Sequence, residues 1–342
     1  MNSASLTETL AWLVDIPSET GSETAICEAI AGRLSSFLQI RIKDSLVVGE
    51  PSPGGVLMVG HTDTVPNQGQ GLAFLEGDRL HGLGSTDMKA GLAVMIHLLE
   101  ERGGDGLAAV FYAGEEGPYA DNELEDVLDQ VPALTEVGVA VVLEPTDRKV
   151  EAGCNGVINA TVSFDGVAAH SARPWRGENA VTKSAPFLVT IDGFEPEPHL
   201  VSGLEFVEVI SVTRAQGGVA NNIIPARFEL NLNYRFAPDR SLAEAEARLA
   251  ELCHGADGFE IADSAPAGAV DTDHPFLQTL AEVSGSDVVG KQGWTDVARL
   301  TSRGVPAVNF GPGETALAHT VEESVRLSDL VWAYQALSTA LD

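Results

Sequence analysis

The sequence predicts an α/β fold built on a mixed, largely parallel sheet and interrupted by an inserted ferredoxin-like α+β domain. Three observations predict it. The 342 residues exceed the roughly 100–200 of one typical domain. Short apolar runs alternate with helical periodicity up to about residue 152, and the rhythm then changes to β-α-β-β-α-β before helix and strand return. The resulting division is 1–152 with 265–342 for the first domain and 153–264 for the insert.

Residues 5–14 and 22–38 carry apolar side chains at helical spacing, so each predicts a helix. Strands follow at 55–59, 107–112 and 137–143, with a helix over 88–99 stopped by Gly103-Gly104. In the insert, strands are expected at 157–164, 204–212, 226–236 and 259–261, and helices at 179–191 and 242–253. From about residue 273 a helix precedes a strand at 307–310 and a terminal helix over 327–341.

Composition narrows the function classes. With 44% apolar residues the chain can bury a core, which excludes a disordered scaffold. Fifty acidic residues against twenty basic ones give a formal charge of -30, and such a surface repels polyphosphate and anionic lipid. Nucleic acid and membrane are therefore excluded as partners. Cys27, Cys154 and Cys253 are widely spaced and form neither a disulfide framework nor a thiolate zinc site. No secretory leader and no apolar run long enough to span a bilayer is present, so a cytoplasmic location is expected.

Three apolar runs of the first domain end at a residue type that binds metal: His61, the pair Glu115-Glu116, and Glu144. Asp87 opens a helix between small residues. The intervals from His61 to Asp87, Glu116 and Glu144 in turn are 26, 29 and 28 residues, each about one crossover unit. Sites in open α/β sheets form at strand carboxyl ends, so residues this far apart can converge. A helix cap at Asp87 and a solvated turn at Glu115-Glu116 are the plain alternatives.

Together, His61-Thr-Asp63, Asp87, Glu115-Glu116, Leu143-Glu-Pro145 and a late His319 resemble, in order, the motifs of the aminoacylase-like family of di-zinc metallopeptidases and N-acyl amidohydrolases. The resemblance implies a zinc-peptidase-like catalytic domain and an inserted lid or dimerisation domain. It implies two Zn²⁺ per chain, with Co²⁺ or Mn²⁺ as substitutes. One is held by His61, Asp87 and Glu144, the other by Asp87, Glu116 and His319. Three carboxylates and two imidazoles make an oxygen- and nitrogen-rich shell suited to zinc. Glu115 is then the base and Asp63 the acid that orients an imidazole. His170, in a loop after the insert's first strand, would stabilise the oxyanion, often across a homodimer. His81, His97, His199, His254 and His274 are read as surface or packing residues.

Stretches around Cys154, Trp175, Asn222, Arg235 and Thr295 are most like the branch of that family that releases succinate from N-succinyl-L,L-diaminopimelate. An anionic N-acyl amino acid needs guanidinium and amide donors, for which Arg235, Asn222, Thr295, Arg173 and Arg176 are the candidates. The alternatives are an acetylornithine deacetylase or dipeptidase of the same family, and a non-catalytic binding protein on this fold. Gly285 to Lys291 has phosphate-loop spacing, but Gln292 stands where Ser or Thr is required. Past His319 the chain runs Thr320-Val-Glu-Glu323, where related desuccinylating enzymes carry a basic residue.

Overall fold

The structure, a computed structural model, describes residues 3–103 and 106–342; the Gly104 half of the expected helix stop lies outside the described residues. The chain forms two compact units. The first comprises Met1–Gly153, Ala269–Lys291 and Thr295–Asp342, the second Cys154–Gly268 and Gln292–Trp294.

The first unit is organised around an eight-stranded mixed sheet. Four parallel strands form its centre in the spatial order Leu107–Tyr112, Val56–His61, Val139–Val142, Ala307–Asn309. All six residues of Leu107–Tyr112 are buried, as expected of a parallel strand covered on both faces. One edge is extended by the antiparallel strands Ser45–Val48 and Gln39–Ile42, the other by Val150–Cys154 and Val288–Lys291.

On one face, Leu57, Val59, Ala108, Val110, Ala140 and Val142 pack with Leu124, Val127, Leu128, Val297 and Leu300. On the other lies the helix Lys89–Arg102, buried from Lys89 to Leu99. Its close approach requires two glycines. A Cβ on Gly60 would stand 2.7 Å from Leu92 and Met88 side-chain carbons, and one on Gly91 would stand 2.3 Å from the Leu143 carbonyl oxygen. A small sheet of Phe74–Glu76, Arg79–His81 and Ser324–Arg326 completes the unit with further helices.

The helix expected over 22–38 runs only from Thr24 to Arg33, and the chain then enters the Gln39–Val48 hairpin. Its four-residue strands are too short to register as periodicity.

The second unit is a five-stranded antiparallel sheet in the order Glu197–Val201, Leu204–Gly217, Arg227–Phe236, Gly156–Asp165, Gly258–Ala265. Without the edge strand Glu197–Val201 this is the ferredoxin-like arrangement. The helix expected over 179–191 is two pieces, Ala180–Lys183 and Ala185–Asp192, the second with Pro186 in its first turn, where a missing N–H costs nothing. Leu242–Leu252 begins with a Ser241/Glu244 capping box. The three cysteines are free and buried. No helix among the described residues is long and apolar enough to cross a membrane.

Candidate metal centre

The carboxyl ends of the parallel strands carry the site. His61 is the last residue of Val56–His61, and Glu144 lies two residues beyond Val139–Val142. Glu115 and Glu116 follow Leu107–Tyr112 after Ala113 and Gly114, whose φ of 82° suits glycine. Asp87 precedes the helix Lys89–Arg102.

The carboxylate of Asp87 faces two imidazoles with different oxygens. Its Oδ1 is 3.2 Å from His61 Nε2, and its Oδ2 is 3.3 Å from His319 Nε2. Glu144 Oε1 lies 3.6 Å from the same His61 nitrogen, and Glu116 Oε1 lies 2.8 Å from the same His319 nitrogen. The five residues thus form two groups that share Asp87. Donor atoms of His61, Asp87 and Glu116 all fall within 4.8 Å of one another.

Electrostatics support a cationic occupant. Burial, then the charge of Asp87, pushes the Glu144 pKa up to about 8. Burial pushes Glu115 well above the carboxylate range, with His61 countering and Glu144 and Glu116 adding to it. Hydrogen bonds to Asp87 and Glu116 lift His319 to about 10. Burial opposes ionisation of Asp87, yet His319 and His61 hold its carboxyl well below the usual range. Glu115 and Glu144 are thereby held toward their protonated forms, and a divalent ion inverts such a balance. The mixed nitrogen and oxygen donors, with one carboxylate split between two clusters, fit a pair of such ions.

Around these residues lies a supporting layer. Asp63, fully buried, accepts the backbone N–H groups of Glu115 and Glu116 at 3.1 and 3.0 Å and the Thr20 hydroxyl at 3.0 Å. Its main-chain oxygen, at 3.0 Å, is closer to His61 Nδ1 than its carboxylate at 3.4 Å. Asp63 therefore orients the Glu115-Glu116 turn as much as the imidazole.

Sequence reasoning missed three further anchors. Asp296, fully buried, accepts the Tyr112 hydroxyl at 2.6 Å, the Asn122 amide at 2.8 Å and Arg299 Nε at 2.9 Å. Arg299 also donates to the Tyr119 carbonyl at 3.0 Å, so both limbs of the loop bearing Glu115 and Glu116 are tied down. Lys291, buried, pairs with Glu151 at 2.7 Å and donates to the Pro145 carbonyl at 3.0 Å, beside Glu144. Its phosphate-loop spacing is thus a coincidence of a strand end. Glu323 accepts backbone N–H groups of Gly84, Thr86 and Asp87. The available signal was the scarcity of lysine: of five in the chain, Lys89 and Lys291 are both buried.

The candidate substrate residues are divided between the two units. Thr295 belongs to the first unit, where it is buried and its carbonyl accepts the Ala298 N–H. In the second unit, His170 bridges to Ile223, and the Ser171 N–H donates to the Asn222 carbonyl, so His170 and Asn222 sit on adjacent exposed loops. Arg173 and Arg176 are exposed on the same segment as His170. Arg235 pairs with Val157, whereas the loop bearing His170 leaves from the Asp165 end, opposite Arg227. Eight residues of strand, roughly 26 Å, separate those two ends.

The chain is similar to known proteins over most of its length. The model of peptidase family M20/M25/M40 matches residues 57–342. A Mycobacterium tuberculosis protein bearing the name succinyl-diaminopimelate desuccinylase is 38% identical over 340 residues, 96% of each chain. A Corynebacterium glutamicum succinyl-diaminopimelate desuccinylase is 33% identical over 91% of this chain and 89% of its own. Among solved structures, aminopeptidase PepT of Bacillus cereus shares the fold with a TM-score of 0.78 at 18% identity, covering 100% of this chain and 98% of its own. A Bacillus subtilis dinuclear metal-binding peptidase has a TM-score of 0.69 at 17% identity, covering 99% and 97%.

Proposed function

This chain belongs to peptidase family M20/M25/M40, and from that membership we propose that it is a metal-dependent hydrolase that releases succinate from N-succinyl-L,L-diaminopimelate. The observation that carries the chemistry is the division of the Asp87 carboxylate between the His61 and His319 clusters. The substrate rests on similarity to the desuccinylases over nearly the whole length of both chains.

His61, Asp87 and Glu144 would hold one cation and Asp87, Glu116 and His319 the other, with zinc the best match to the donors. When bound, such a pair supplies Lewis acidity that polarises the amide carbonyl and acidifies water. Glu115 takes the proton from the attacking water and returns it to the amide nitrogen as the carbon–nitrogen bond breaks. Asp63 fixes the turn on which it stands by accepting its backbone N–H.

His170 donates to the oxyanion, while Asn222, Arg235, Thr295, Arg173 and Arg176 supply donors for the substrate carboxylates. The strand-length separation of Arg235 from the His170 loop supports a homodimer, in which residues remote in one chain serve a common substrate.

Metal analysis together with a turnover panel of N-succinyl-diaminopimelate, acetylornithine and dipeptides tests the reading. Two divalent ions per chain and preference for the succinylated diamino acid are expected. Preference for another member of the panel overturns the substrate, and full activity after exhaustive chelation overturns the chemistry.

A further inference from the structure

We propose that Glu323 is a positioning residue for the shared metal ligand: its carboxylate fixes the loop from Gly82 to Asp87 so that Asp87 offers one oxygen to each cluster. The inference rests on the reading of Asp87 as a ligand common to two cations.

Glu323 is 2% exposed. Its Oε2 accepts the Gly84 N–H at 2.8 Å, and its Oε1 accepts the Thr86 and Asp87 N–H groups at 3.0 Å each. Its own carbonyl accepts the Gly82 N–H at 3.2 Å. Four main-chain donors within six residues of loop therefore end on one residue, three of them on one carboxylate.

Glu323 also lies four residues past His319, at the point where the chain enters Ser324–Arg326 and pairs with Arg79–His81, the strand that leads into the same loop. A single short segment thus supplies one ligand and holds the backbone of another. A buried carboxylate with three N–H donors is specific in shape: the two oxygens fix the loop at two points, and the Asp87 side chain leaves from the second. Its neighbour Glu322 is exposed and has no such role.

The two oxygens predict a graded series. In Glu323→Gln the amide oxygen keeps Thr86 and Asp87, but the NH₂ group opposes the Gly84 N–H. Glu323→Ala loses all three contacts. Metal affinity, measured with Zn²⁺ alone by chelator competition, is expected to fall about 10-fold in the Gln variant and about 100-fold in the Ala variant. Both ions should weaken together, since the displaced ligand is common to them. The visible spectrum of the Co²⁺-loaded Gln variant should shift, and kcat should fall with KM little changed.

Glu322→Gln is the control and should match the wild type in every measurement. If the wild type fails to take up two cations, the reading of the centre fails. If the wild type takes up two, and Glu323→Gln matches its Zn²⁺ affinity and Co²⁺ spectrum, the positioning role is overturned. A Gln variant whose metal-free melting temperature falls while affinity and spectrum stay unchanged also overturns it, because Glu323 would then serve stability alone. Should the Ala variant not fold, the Gln variant and Glu323→Asp carry the test.

Discussion

Glu115 and Glu116 are adjacent in the chain and differ in what they face. Glu116 points at His319, while Glu115 has no imidazole at hydrogen-bond distance among the described residues and is pushed toward the protonated form by burial. Glu115→Gln should therefore retain both metals and lose about 10²–10⁴-fold in kcat; near-normal turnover would remove Glu115 from the proton transfer. Lys89 gives a pH signature. Burial lowers its pKa from 10.5 to about 8, with Glu323 and Asp15 opposing. Between those values the unfolded chain binds more protons than the folded one, so this group's contribution to stability rises with pH across that window and is constant below it. Comparison of the pH dependence of unfolding for wild type and Lys89→Met should show that rise only in the wild type. At this scale the sequence showed which residue types were present, but not that Asp63 and Glu323 act mainly on backbone N–H groups, because those bonds join segments far apart in the chain.

Elements position these residues by where they end. Val56–His61, Leu107–Tyr112 and Val139–Val142 are parallel, so three separate segments deliver their candidate ligands to one edge of the sheet. These strands were legible because doubly covered strands are continuous apolar runs. The Gln39–Val48 hairpin and the small sheet containing Phe74–Glu76 were not, since strands of three or four residues leave no period to read. The fit between helix Lys89–Arg102 and the strand turn at Leu143 depends on Gly91. Gly91→Ala would press a methyl group against the Leu143 carbonyl and displace the neighbouring Glu144. A loss of about 1–3 kcal/mol in urea denaturation is expected, with weaker metal binding; unchanged values in both would mean the backbone yields without cost.

For the whole molecule, the charge of -30 acts on folding, and the proposed sharing of His170 between chains would act on assembly. Self-repulsion among fifty acidic residues should be screened by salt, so the melting temperature should rise with NaCl and level off as the Debye length nears about 3 Å at 1 M. A flat or falling curve would show that local ion pairs outweigh the net charge. If His170 serves the partner's centre, mixing His170→Ala chains with Asp87→Ala chains should restore up to about a quarter of wild-type activity, because half the dimers at random are mixed and each holds one intact site. Failure of the mixture to exceed either parent, once subunit exchange is verified by mass, would place His170 in its own chain's site.

The sequence by itself determined the α/β class, the β-α-β-β-α-β pattern of the insert and the residue types at the strand ends. Each of these is written locally, in apolar runs and short motifs. Only the tertiary structure decided which oxygen of Asp87 meets which imidazole, that Asp296 and Arg299 tie down the loop bearing Glu115, and that a strand's length lies between Arg235 and the His170 loop. Those facts depend on sheet register and on contacts between segments up to more than two hundred residues apart, and spacing along the chain does not encode them.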